Sequence, residues 1–162
     1  MRQPRTFTFH IFSANRVSGA DSSDYVVNMP QLDALVNGQD RPDFYELWLD
    51  KIVGTAVGAD NAPEAAAGTS GFIQLALDLP SPWLITNGKA NVKFIAPISG
   101  STMTLQTSEG RSNVSNPVLI AASGLQSTLH VQLFDQAGAA LNVTGHDHVI
   151  VLTIREPYVG KA

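Results

Sequence analysis

Three residues near the end of the chain carry the pattern with the most chemistry in it: His146, Asp147 and His148. Histidines at i and i+2 share one face of an extended strand. With a third ligand, His10 or His130, they would make an open zinc site that keeps one position for water. The same residues also suit a turn leading into a strand. No longer metal-ligand pattern accompanies them, so the turn is favoured and no metal ligand is assigned. No serine stands in a Gly-x-Ser-x-Gly setting. Glu46 and Asp50 flank Trp48 on one face of an expected strand. A sugar cleft with an aromatic wall has that look, and so does a solvent-facing strand, which is the favoured reading. The stretch Gly54-Thr55-Ala56-Val57-Gly58 lacks the Lys and Ser/Thr that complete a phosphate loop. Phe7, Phe9 and Phe12 have no interleaved basic residues, so they read as core or interface rather than a base-stacking platform. No catalytic, cofactor-binding or metal residue follows, and no cofactor is expected.

Composition narrows the classes further. Of 162 residues, 44% are hydrophobic and only 15% are charged. Ordinary domains carry about a quarter of charged residues. A charge-poor surface is either uncharged and polar or covered by neighbours, and the second case points to oligomerisation. The net charge of −4 argues against a nucleic-acid partner, which needs a basic face. Arg2 and Arg5 near the N-terminus read as solvated charges on a tail. The absence of cysteine excludes disulfides, thiolate catalysis and cysteine-based metal sites. The first residues lack the apolar run of a signal peptide, and no stretch has the length of a membrane span. Asn113-Val114-Ser115 and Asn142-Val143-Thr144 match the glycosylation pattern but carry no weight without a secretory signal. These points together suggest a soluble protein made in a reducing compartment.

The elements that would position any site are strands. Residues 128–133 alternate Leu129, Val131 and Leu133 against Thr128, His130 and Gln132. A break at Asp135-Gln136-Ala137-Gly138 follows, with Gly138 suited to a positive φ. Leu141-Asn142-Val143 is expected to pair back. Residues 148–154 are almost continuously apolar and β-branched, which suits a strand covered on both faces. Phe7, Phe9 and Ile11 alternate with Thr6, Thr8 and His10. Residues 13–23 read as a loop, and residues 24–29 as a strand stopped by Pro30. Leu32, Leu35 and Val36 suit one helical turn. Tyr45, Leu47 and Leu49 share one face of a long strand, with Glu46, Trp48 and Asp50 opposite.

Further along, residues 54–71 read as a long surface loop with a turn of helix at residues 64–67. Ile73, Leu75, Leu77 and Leu79 share a strand face. Asn87-Gly88 is a strong hairpin signal between arms at residues 83–86 and 90–95. Short strands are expected at residues 103–107 and 117–122. The count is about eight to ten strands with breakers between them, which reads as a one-domain sandwich or barrel without internal repeats.

Two stretches also resemble a known family. Leu129-x-Val131-x-Leu133-Phe134-Asp135-x-x-Gly138-x-x-Leu141, then Gly145-x-Asp147-His148-Val149-Ile150-Val151-Leu152-x-Ile154, resembles the C-terminal strands of viral jelly-roll capsid proteins. Phe9-His10-Ile11-Phe12-Ser13-Ala14-Asn15-Arg16, then Asp24-Tyr25-Val26-Val27-Asn28-Met29-Pro30, is similar to the start of penton-like and minor capsid single jelly rolls. These occur in virophages, polinton-like viruses and large icosahedral DNA viruses. The resemblance covers the two ends of the chain and not its middle. It implies an all-β fold, a single jelly-roll antiparallel β-sandwich of about eight strands in two sheets. One domain would span residues 1–162, with flexible termini at about 1–5 and 156–162 that reach adjacent subunits.

The implied role is structural and non-enzymatic. The protein would be a capsid subunit in the virion, forming the penton of an icosahedral shell as a homopentamer, or a trimer elsewhere on it. Its partners would be itself and neighbouring major capsid proteins, with no nucleic acid and no membrane span. Synthesis would take place in the host cytoplasm or nucleus. A second class is a carbohydrate-binding or adhesion β-sandwich with Trp48, Trp83 or Tyr25 stacking on sugar. A third is a cupin-type enzyme that uses the histidines.

Overall fold

Period-two alternation builds the strands that carry the core, and the core locates everything else. The structure, a computed structural model, describes residues 3–37, 41–55, 70–81, 85–86, 91–99, 102–105, 117–141 and 147–157. The first elements are β1 (Thr6–Phe12), a 3-10 turn (Ser13–Asn15), β2 (Ser18–Asp21), β3 (Asp24–Asn28) and α1 (Pro30–Asn37). Then come β4 (Phe44–Thr55), β5 (Ser70–Leu77), β6 (Ile85–Thr86), β7 (Asn91–Ser99) and β8 (Thr102–Leu105). The chain closes with β9 (Val118–Ala121), a second 3-10 turn (Ala122–Gly124), β10 (Thr128–Phe134) and β11 (Val149–Arg155).

The pairing is nested and antiparallel throughout. β1 pairs with β11, β3 with β10, β4 with β8 and β9, and β5 with β7. β11 also pairs with β4, and β10 with β5. One sheet therefore runs β1-β11-β4 with β8 and β9 end to end along the far edge of β4, and the other runs β7-β5-β10-β3-β2. Between β7 and β8 the ladder has the single pair Ser99 with Thr102 among the described residues. Such an order arises when a long hairpin of paired strands wraps across two layers, which is the jelly roll. The fold is thus the all-β sandwich expected from the chain.

One apolar cluster fills the space between the layers. Ile11, Tyr45, Leu47, Leu49, Ile150 and Ile154 enter it from the first sheet, and Tyr25, Ile73, Leu75, Val131 and Leu133 from the second. Bulges on β4 and β7 adjust the alternation. Opposite β11, the register of β4 slips so that Lys51 faces Val151 and Leu49 faces Leu152, leaving Asp50 as the extra residue. The slip flips the parity of β4, so Ile52 points inward like the odd-numbered Leu49. On β7, Lys93 is the extra residue between Val92 and Phe94. Its stem is buried, and that burial lowers the pKa of its amine.

Several expectations change in detail. Residues 18–21 form β2, a short edge strand hydrogen-bonded to β3, rather than part of a loop. The turn expected around Leu32 and Leu35 is an eight-residue helix. Pro30 opens it, as suits a residue whose missing N–H would lack a helical partner anyway. Leu32 and Leu35 are buried under it, and the Tyr45 hydroxyl donates to the Leu35 carbonyl at 3.0 Å. Leu141 pairs back as expected, its N–H donating to the Leu133 carbonyl at 3.0 Å. The intervening turn uses Gly138 at φ +82 and the Asp135 carboxylate, which accepts from the Ala137 and Ala139 N–H groups. The arms of the Asn87-Gly88 hairpin pair through Ile85–Thr86 and β7. That turn itself, the helical turn expected at residues 64–67, and Asn142 with Val143 lie outside the described residues.

Gly19 is the position where the backbone admits no side chain. Its φ is +123, and a Cβ there would lie 2.3 Å from the Asp24 carbonyl oxygen. Gly19→Ala is expected to lower unfolding free energy by more than about 1 kcal/mol. Ser18→Ala beside it is exposed and should stay within about 0.5 kcal/mol. Urea denaturation of both variants checks the pair.

Candidate functional site

β1 and β11 end together, and the chain at this end of the sandwich brings Asp147 and His148 against Ser13. The ladder's last pair is Phe12 with Val149. Just beyond it the Ser13 N–H donates to the His148 carbonyl at 3.0 Å. The His148 N–H returns a bond to Ser13 Oγ at 2.9 Å, and that hydroxyl donates to Asp147 Oδ1 at 2.9 Å. Ser22 Oγ donates to the same carboxylate oxygen at 3.2 Å, and Arg16 Nη1 approaches it at 3.4 Å. Arg16 also donates to the Ser13 carbonyl at 3.0 Å. These bonds hold the Asp147 pKa below the usual carboxylate value, the Ser13 hydroxyl contributing most. Asp147 itself faces solvent, whereas Ser13 and Ser22 are buried.

His148 lies underneath. It is 3% exposed, and its Nε2 sits 2.8 Å from the Tyr25 hydroxyl. The two rings are tilted, with centroids 5.5 Å apart. Burial pushes the imidazole pKa down to about 4, opposed in part by the Asp147 charge. Tyr25 is fully buried, and burial followed by the Asp147 charge raises its pKa. At neutral pH both rings are uncharged.

The arrangement is a structural joint. Ser13 has its hydroxyl tied to Asp147 and the His148 N–H, while the imidazole turns to Tyr25 instead of to the serine. His146 lies outside the described residues, and the other two histidines stand elsewhere. His10 is exposed on β1, and His130 Nε2 lies 2.6 Å from Asp24 Oδ1 on the far side of the second sheet. Among the described residues no three His, Asp or Glu side chains gather as metal ligands.

Two other candidates change meaning. Trp48 lies under the Arg155 guanidinium, 5.6 Å from its ring centre. Arg155 Nε donates to Glu46 at 2.9 Å, and Thr153 hydrogen-bonds Asp50. Both carboxylates beside Trp48 are thus engaged by β11 rather than simply solvated. Tyr25 is too buried to stack on a sugar, and Trp83 lies outside the described residues. Arg5 is not a free tail charge. Its Nε donates to Glu156 Oε1 at 2.6 Å, its N–H donates to Glu156 Oε2 at 2.9 Å, and the guanidinium lies 5.9 Å from the Phe7 ring centre.

Sequence reasoning missed a surface feature. Phe12, Val149 and Val53 are cross-strand neighbours on β1, β11 and β4. They form an apolar row on the outer face of the first sheet, with Phe12 44% and Val53 39% exposed. Of the three phenylalanines noted as core or interface, Phe9 is core and Phe12 is on this surface. The usable signal was Phe12 itself, an apolar residue in the polar phase of the β1 alternation.

No protein-family model matches the chain, and no curated protein matches it. Some solved structures do, at low similarity. A structure of Desmodium yellow mottle tymovirus is 10% identical over 100% of this chain and 87% of that one, with a TM-score of 0.25. A structure of the empty head of turnip yellow mosaic virus is 13% identical over 99% and 85% of the two chains, again at 0.25. One of turnip yellow mosaic virus is 12% identical over 99% of both, at 0.22. At such scores the likeness adds nothing to the jelly-roll order read from the strand pairing.

Ser13→Ala removes both the acceptor of the His148 N–H and a donor to Asp147. Leaving a buried N–H without a partner is expected to cost about 1–3 kcal/mol. Asp147→Ala, at an exposed position, should cost clearly less. Equilibrium unfolding of the two variants tests the ranking.

Proposed function

We propose that the protein is a viral structural subunit, a jelly-roll capsid protein that works by associating with copies of itself. The observation that carries the reading is the apolar row Phe12, Val149 and Val53 on the outer face of the first sheet. In the next row Val151 continues it between His10 and Lys51, with Thr8 beyond. An apolar patch with polar side chains at its edge is the anatomy of a protein interface. The low charge content of the chain fits surfaces that neighbours cover. The finer reading is the penton of an icosahedral shell, a homopentamer beside neighbouring major capsid proteins in the virion. A trimer would suit another place on the shell. No step in this role is enzymatic.

The alternative, a glycan-binding sandwich, has less to rest on. One of its three aromatics is fully buried and one is covered by Arg155.

Light scattering with particle imaging tests the proposal. The expected result is a closed ring of five copies of the 17.3 kDa chain, since homo-oligomers favour closed symmetry. Three copies would keep the shell role and move it off the vertex. Phe12→Glu with Val53→Glu should abolish association while leaving thermal stability nearly unchanged, because both sites are exposed. A wild-type chain that stays monomeric at high concentration, with scattering identical to the double variant, would sink the reading.

A further inference from the structure

The neutral His148 ring has a place for one hydrogen bond and no place for a second. Nε2 is taken by the Tyr25 hydroxyl at 2.8 Å. Nδ1 is fully enclosed and has no hydrogen-bond partner among the described residues. A protonated ring carries two N–H donors and a positive charge. In this pocket the donor that a protonated ring carries at Nδ1 would face no acceptor among the described residues.

The groups packed around the ring cannot absorb the charge. From β3 comes the Tyr25 hydroxyl, which burial keeps neutral. From the segment after β1 comes Arg16, a second cation, whose guanidinium already meets Asp147. From the His148 segment itself comes Asp147, the one anion acting on the ring, exposed and bound by Ser13, Ser22 and Arg16. Phe12 and Val149, the neighbours at the ladder end, bring no charge.

We propose that His148 is an acid-released clasp: on gaining a proton the ring leaves its pocket, and the segment after β1 separates from the segment before β11 while the core stays folded. Release breaks the two reciprocal bonds between Ser13 and His148 along with the Tyr25 bond. The direction in pH follows from burial. The closed ring takes its proton at about 4, and a free histidine at about 6.5. Between those values the open form binds more protons. The closed form is therefore fully stabilised above about 6.5 and loses that stability as pH falls toward 4. The Asp147 pKa is lowered by the closed form, so its contribution is lost at still lower pH, in the same direction. This device does not depend on the capsid reading.

Native-state amide hydrogen exchange followed by NMR tests it, with rates corrected for the intrinsic pH dependence. Protection of the Ser13 and His148 amides should fall roughly fortyfold between pH 6.5 and 4.5. Protection at Val131 and Leu75 in the core should hold. The apolar pair Tyr25→Phe with His148→Phe should remove the pH dependence at Ser13. Should that variant fail to fold, the wild-type His148 ring titration decides. A ring that titrates near 6.5 with Ser13 still protected overturns the proposal. So does loss of Ser13 and Val131 protection together, which would be whole-domain unfolding, or an unchanged pH dependence in the folded double variant.

Discussion

β11 lies between β1 and β4, and the rest of the molecule depends on that placement. The strand comes from the far end of the chain and must thread beside the first strand before the first sheet exists. Its Ile150, Leu152 and Ile154 enter the core, and Arg155 holds Glu46 on the outside. Almost every other long pairing is also non-local, since the first strand meets the last and β3 meets β10. Such contacts close large loops before they gain any hydrogen bonds, so the fold pays its entropy early and should form slowly. The Arg5 and Glu156 pair secures the same ladder where it begins, and Ser13 with His148 secures it where it ends.

That geometry explains where the few charges go. Arg155 with Glu46 and Arg5 with Glu156 lie at one end of the first sheet, partly shielded from water. Arg16 with Asp147 lies at the opposite end. Exposed pairs of this kind contribute little to stability, at most about 1 kcal/mol. Their more useful effect is on register, because Arg155 with Glu46 ties β11 to β4 and the other two pairs tie the segments that flank β1 and β11. Between the two ends the outer face carries threonine, valine and Phe12, with His10 and Lys51 beside the apolar row.

Much of this fold was legible in the sequence because alternation reports burial directly. Phe9 and Ile11, Leu47 and Leu49, Leu75 and Leu77, and Leu129, Val131 and Leu133 all take the faces that their spacing predicts. The slip at Asp50 was not legible, because a bulge is chosen by the partner strand and leaves no local mark. The pairing of β2 with β3 was hidden too. Its residues are small and polar, and only Gly19 at positive φ signals the tight approach. The candidate site was half legible. His146-Asp147-His148 drew attention as a chemical pattern, but the partners that define it are Ser13 and Tyr25, more than 120 residues away. The burial that keeps His148 neutral belongs to the tertiary structure, and no local motif encodes it.

A jelly roll by itself names no activity, since the same strand order serves shells, lectins and enzymes. Function must be read from what the fold leaves at its surface and its ends. Here the two features meet in consecutive residues. Phe12 belongs to the apolar row and Ser13 to the joint, while His148 belongs to the joint and Val149 to the row. The last ladder pair of β1 and β11 is thus both the edge of the proposed interface and the hinge of the clasp. Strand ends fray from their termini inward, so any loosening of Ser13 from His148 reaches Phe12 and Val149 first. The proposed binding surface is tied at its edge by the bonds between a serine and a buried, uncharged histidine. Whatever disturbs those bonds would reach the proposed interface before the core.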